Sequence, residues 1–184
     1  MSLTRSHTSL RNRRLLYCAM ALCYGLLSAT ALALPEDREL PITGKADSNS
    51  FDINTGISIL TGNVVITQGN LEILADQVVI ETDPDTNELS YIKATGTPAI
   101  FTDIPQLGSD MVEVNGNQVE FFPATDIIIT LGEARITQSG NEARGEQIEY
   151  QAATGQVTIQ SARSLSGNQD DEQAELLLLP GSTE

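Results

Sequence analysis

The chain has 184 residues, and its 25 acidic side chains against 10 lysines and arginines give a formal charge of −15. That balance disfavours nucleic-acid binding, which needs a basic surface to displace counterions from phosphates. One histidine, two cysteines and no tryptophan leave little room for imidazole or thiol chemistry, and the length suits a single domain.

In chain order, the first element is a targeting signal. Arg5, Arg11, Arg13 and Arg14 precede an apolar run from Leu15 to about Leu27 and a small-residue stretch, A-T-A-L-A, ending at Ala33. This is the pattern of a secretory signal peptide over residues 1–33, with cleavage expected near Ala33. The rival is a retained anchor, but the run is shorter than the roughly 20 apolar residues a spanning helix needs. Cys23 is a poor lipidation site, because Leu22 is too large for the residue before a lipidated cysteine. Cys18, Cys23 and His7 all leave with the signal. The exported chain then has no thiol for a disulfide and no imidazole for a Ser-His-Asp site or a zinc ligand.

Residues 34–41 read as a polar, proline-flanked leader, residues 42–180 as one β domain and residues 181–184 as a polar tail. I-T-G-K-A-D opens a short first strand at Ile42. I-S-I-L-T-G-N-V-V-I-T-Q-G (Ile57 to Gly69) is β-branched and interrupted at Gly62, where a bulge or corner is expected. L-E-I-L-A-D-Q-V-V-I-E-T (Leu71 to Thr82) follows. Turn signals recur at Asn54 to Gly56, Asp83 to Asn87, Ala94 to Pro98, Pro105 to Ser109, Asn115-Gly116, Pro123 to Asp126, Ser139 to Asn141 and Thr154-Gly155. Strands separated in this way make an antiparallel all-β architecture. No stretch beyond the signal has a convincing helical period.

The strand run is duplicated. Ala46 to Ile80 recurs without a gap from Gly116 to Tyr150, 70 positions on, with 10 identities in 35 positions. Units of this size cannot bury their apolar face alone, so the copies share an elongated core. Positions two apart lie on one strand face. On that count Phe51, Val78, Ile80, Val119, Phe121, Ile148 and Tyr150 point inward, as do Ile57, Ile59, Ile127 and Ile129, and Leu89, Tyr91, Val157 and Ile159. A packed core is the plain reading of such a face, and a lined groove needs further evidence.

Other chemistry fits poorly. D-P-D-T-N-E (Asp83 to Glu88) offers alternate oxygens like a calcium loop, but Glu88 stands where that loop needs glycine and Ala94 where it needs a bidentate acid. A hairpin turn is expected there. No pair among the 25 acids stands out as a glycosidase dyad. A transmembrane barrel would need two aromatic girdles, and beyond the signal the aromatics are only Phe51, Phe101, Phe121, Phe122, Tyr91 and Tyr150.

Several stretches resemble the OstA-like family of lipopolysaccharide transport proteins. They are P-I-T-G-K-A-D (Pro41 to Asp47), L-T-G-N-V-V-I-T-Q-G-N-L-E-I-L-A-D-Q-V-V-I (Leu60 to Ile80), G-T-P-A-I-F (Gly96 to Phe101), G-E-Q-I-E-Y (Gly145 to Tyr150) and L-L-L-L-P (Leu176 to Pro180). One departure is Gly44, which stands where the family often has a second isoleucine after Ile42. The resemblance implies an open, twisted antiparallel β-jellyroll without enzymatic activity or cofactor. It also implies a periplasmic location and an apolar trough that holds the acyl chains of lipopolysaccharide between the inner and outer membranes. The trough candidates are Ile42, Phe51, Ile57, Ile59, Val78, Ile80, Phe101, Val119, Phe121, Ile127, Ile129, Ile148 and Tyr150. The implied partners are lipid A, further copies joined head to tail, and the jellyroll domains of the inner-membrane export complex and the outer-membrane translocon. The joining edges would be Ile42, Thr43, Gly44 and Lys45 at one end and Leu176, Leu177, Leu178 and Leu179 at the other. A self-assembling structural β-repeat that binds no lipid is the alternative. Shielding has a clear physical motive: each CH₂ exposed to water costs roughly 0.8 kcal/mol, so an acyl chain of about a dozen carbons costs on the order of 10 kcal/mol.

Overall fold

The computed structural model describes residues 40–106 and 108–179. The expected signal peptide, most of the leader and the polar tail lie outside the described residues. Among the described residues ten strands form one antiparallel sheet. They are β1 (Thr43–Lys45), β2 (Ser48–Asp52), β3 (Ile57–Gln68), β4 (Leu71–Thr82), β5 (Leu89–Asp103), β6 (Val112–Phe122), β7 (Ile127–Gln138), β8 (Asn141–Gln151), β9 (Gln156–Gln160) and β10 (Glu175–Leu177). β3 to β8 pair as a meander; β1 and β2 both pair with β3, and β9 and β10 both pair with β8.

The long strands are bent. At every seam of the meander the register shifts near mid-strand: between Thr61 and Val64, Leu74 and Gln77, Thr95 and Ala99, Asn115 and Gln118, and Leu131 and Ala134. This line of bulges divides the sheet into two wings. Wing A holds β2, β9 and one half of each long strand; wing B holds β1, β10 and the other halves. The expected corner at Gly62 is part of this line, where Gly62 and Asn63 both have positive φ (82° and 48°). Its counterpart 70 residues on, Gly132 and Glu133, repeats the conformation at 71° and 53°. Duplication therefore extends to the backbone.

Two expected turns are corrected. Ala94 to Pro98 lies inside β5 and Asn115-Gly116 inside β6, at the register shift where these strands face each other. Glycine and proline mark a bulge in a bent strand as readily as a hairpin. A five-residue helix, α1 (Ala162–Ser166), is capped by the Ser161 hydroxyl, which accepts from the Ser164 amide at 3.0 Å, and ends at Gly167 with φ 74°. At five residues it is too short to show a period.

Asp83 to Glu88 is a turn, as expected. The Asp83 carboxylate accepts the Asp85 and Thr86 amides at 2.8 and 2.9 Å, and those bonds hold its pKa below the ordinary aspartate value.

A flat sheet would leave one face in water, yet side chains from both wings form one buried cluster, including Leu60, Val78, Ile92, Phe121 and Ile148 from wing A and Ile66, Ile73, Phe101 and Val114 from wing B. The wings therefore fold toward each other about the line of bulges. Phe101 of wing B meets Phe121 of wing A with ring centroids 5.6 Å apart.

Candidate functional site

The register fixes which side chains share the inner face. Directly paired residues point the same way, so one inner row of wing A runs Phe51, Ser58, Ile80, Ile92, Phe121, Ile128, Tyr150, Val157 across eight strands. The matching row of wing B runs Gly44, Ile66, Ile73, Phe101, Val114, Ile136, Ala143, Leu176. Each spans about 34 Å, seven inter-strand spacings of about 4.8 Å. Every interior member of both rows is apolar except Ser58. The result is a continuous apolar inner face, packed between the wings, that reaches both edges of the sheet.

Most of the candidates fall on this face. Val78, Ile80, Phe101, Val119, Phe121, Ile148 and Tyr150 are buried, and Ile42, Leu89 and Ile159 pack partly buried against them. Phe51 and Val157 share the inner row but are 60% and 39% exposed, because each sits on an edge strand with no neighbour beyond it.

The second group is corrected. Ile59 and Ile129 pair with Val79 and Glu149, and Ile57 and Ile127 with Glu81 and Gln151, which places all four on the outer face. Leu60, Ile128 and Thr130 occupy the inner positions instead. In I-S-I-L and I-I-I-T apolar residues stand in both phases, so alternation within the strand does not choose; the partners Val78, Ile80, Ile148 and Tyr150 do. Tyr91 is also outward, pairing with Glu81 and stacking on Phe122 at 5.2 Å. Burial, then the Glu120 carboxylate, pushes its phenol up to about 12.

On the inner row of wing B, sequence reasoning finds Phe101 as a trough candidate and Gly44 and Leu176 only as edges, and it misses Ile66, Ile73, Val114, Ile136 and Ala143. The signal was present in V-V-I-T-Q and L-E-I-L, where Val64, Ile66 and Gln68, and Leu71 and Ile73, alternate.

The inner face has few polar groups. The Thr130 hydroxyl donates to the Gln118 carbonyl at 3.1 Å, satisfying a side chain with no exposure. Burial, then the Asp103 charge, raises the Tyr150 phenol, which stays neutral on the inner face. Among the described residues no cluster of histidine, cysteine, aspartate or glutamate is arranged to hold a metal.

The two expected joining edges lie at opposite ends of wing B. β1 pairs Thr43 with Thr67 and Lys45 with Val65, while β10 pairs Glu175 with Arg144 and Leu177 with Glu142. Leu176 to Leu179 are 54–65% exposed. Leu178 and Leu179 lie past the last ladder pair, where the Asn141 side chain accepts the Leu179 amide at 2.9 Å. Below β10, Glu142 bridges Arg135 of β7 (2.6 Å) and Arg144 of its own strand.

Comparison with known proteins agrees with this geometry. Residues 45–156 match the family described as LptA/(LptD N-terminal domain) LPS transport protein. The chain is 30% identical over 154 residues to the lipopolysaccharide export system protein LptH of Pseudomonas aeruginosa, covering 82% of this chain and 86% of that protein. It is 31% identical over 133 residues to the lipopolysaccharide export system protein LptA of Escherichia coli K12, covering 71% of each. The crystal structure of Pseudomonas aeruginosa LptH, described as the LptA homologous periplasmic component of the lipopolysaccharide transport device, has a TM-score of 0.69 at 26% identity, covering 79% of this chain and 100% of that one. With a bent, open β-jellyroll and a match across most of its strands, the chain belongs to the family of LptA and LptD N-terminal domains, the lipopolysaccharide transport proteins.

Proposed function

We propose that this protein carries lipopolysaccharide through the periplasm, from the inner to the outer membrane, with the acyl chains held between the two wings and the anionic headgroup left in solvent. The carrying observation is the unbroken apolar inner face that opens at both edges, through Phe51 and Gly44 at one end and Val157 and Leu176 at the other. Such a face is continuous with the next copy, or with a jellyroll domain of the export complex or the translocon, joined β10 to β1. Shielding needs no bond-making chemistry, so the protein acts as a conduit and not as an enzyme.

The reading is tested by placing photo-crosslinking side chains at Ile42, Phe101 and Phe121, with Glu72 and Glu149 as outward controls. Capture of lipopolysaccharide by the first three alone is expected. Equal labelling of both sets, or of neither, would refute the trough and leave the structural β-repeat as the better description.

A further inference from the structure

We propose that Leu40 to Ile42 form a strap across the mouth of the trough, a pseudo-ligand that gives way as an acyl chain enters. This rests on the transport reading above. Where the free ends of the two wings face each other there is a cavity of about 550 Å³. Wing B contributes Gln68, and wing A contributes Leu89, Phe121 and Asp126; Leu40, Pro41 and Ile42 line it from the chain just before β1. Phe121 belongs to the buried cluster and Leu89 and Ile42 pack against it, so the cavity is continuous with the trough.

Among the described residues the strap's ladder to β3 begins only at Thr43, and Pro41 has no N–H with which to extend it. The Gln68 amide donates to the Leu40 carbonyl at 3.0 Å, and the Leu40 side chain is 47% exposed. In the duplicated half Gln138, 70 residues on, likewise donates to a carbonyl outside its strand, that of Asp110, at 3.2 Å. Apolar side chains laid in the opening keep water from the inner face, and a segment with few backbone bonds is the first to open. Occupancy by the strap lowers the fraction of molecules competent to load, and the apparent affinity falls by that fraction.

From residue 34 on the chain has no cysteine, so Leu40→Cys with Glu88→Cys places one spin-label pair across the cavity. A narrow distance distribution is expected, lengthening by about 10 Å when purified lipopolysaccharide is added, the reach of three released residues. Gln68→Ala, which removes the bond to the Leu40 carbonyl, should broaden the distribution without lipid and speed lipopolysaccharide uptake by about fivefold or more, the worth of that bond alone being about fivefold. Leu40→Ser, outside the packed interior, should speed uptake similarly and guards against a folding defect in Gln68→Ala. An unchanged distance in protein that retains lipopolysaccharide would overturn the strap and leave transport standing. Retention of no lipopolysaccharide by any of these chains, with the distance still broadened by Gln68→Ala, would overturn the transport reading and with it the strap's part in loading.

Discussion

Ile128 and Ile129 are neighbours with opposite surroundings. Ile128 is 1% exposed between Phe121 and Tyr150, whereas Ile129 stands on the outer face between Glu120 and Glu149. An unpaired carboxylate at the first site has no water and no partner, so Ile128→Asp or Phe121→Asp should destabilise by about 3–5 kcal/mol. Ile129→Asp should cost about 1 kcal/mol or less, and Glu149→Lys should be nearly silent. Thermal melts of the four variants decide it, and similar losses at Ile128 and Ile129 would show that the inner face has been assigned to the wrong phase.

At the scale of elements, β7, β8 and β10 meet around one acid. Glu142 of β8 accepts from Arg135 of β7 and from Arg144, and these bonds, Arg135 first, hold its pKa below the ordinary glutamate value. The folded state therefore releases this proton more readily than the unfolded chain. The resulting stability is present above the ordinary value of 4.5 and is lost as pH falls through the lower folded value. Melting temperature measured from pH 6 to pH 3 should drop less steeply in Glu142→Gln than in the parent protein. A parallel drop would mean that the bridge does not titrate with folding.

At the scale of the whole molecule, a sheet with two free ends invites another copy. β10 is a three-residue strand that pairs with β8 on one side and, among the described residues, with no strand on the other; Leu176 and Leu177 within it and Leu178 and Leu179 just past it are exposed. Unpaired N–H and C=O groups on such an edge recruit a further strand. β1 is short, carries one lysine and lies at the far end of the same wing. Joining β10 of one copy to β1 of the next is a heterologous contact that leaves a filament open. Removing Leu176 to Glu184 should leave a folded monomer. Analytical ultracentrifugation of the truncated chain showing the same concentration-dependent oligomers as the parent would exclude this edge as the joint.

The sequence by itself determined the all-β class, the duplication and the family resemblance, because turn residues, β-branched alternation and a 70-residue repeat are local signals that tertiary contacts reinforce. The 70-residue repeat also put Val78, Ile80, Val119, Phe121, Ile148 and Tyr150 in one phase, and all six are buried. Tertiary structure alone decided the phase of Ile57, Ile59, Ile127 and Ile129: with apolar residues on both faces of β3 and β7, only pairing with β4 and β8 selects which face is buried. It alone decided that G-T-P and Asn115-Gly116 bend strands instead of ending them, because a glycine or proline permits either outcome and the register of the neighbouring strand chooses. The two-winged fold arises the same way. Each register shift is a local event, but five of them aligned across the sheet fold it over, and that alignment exists only once the strands have paired.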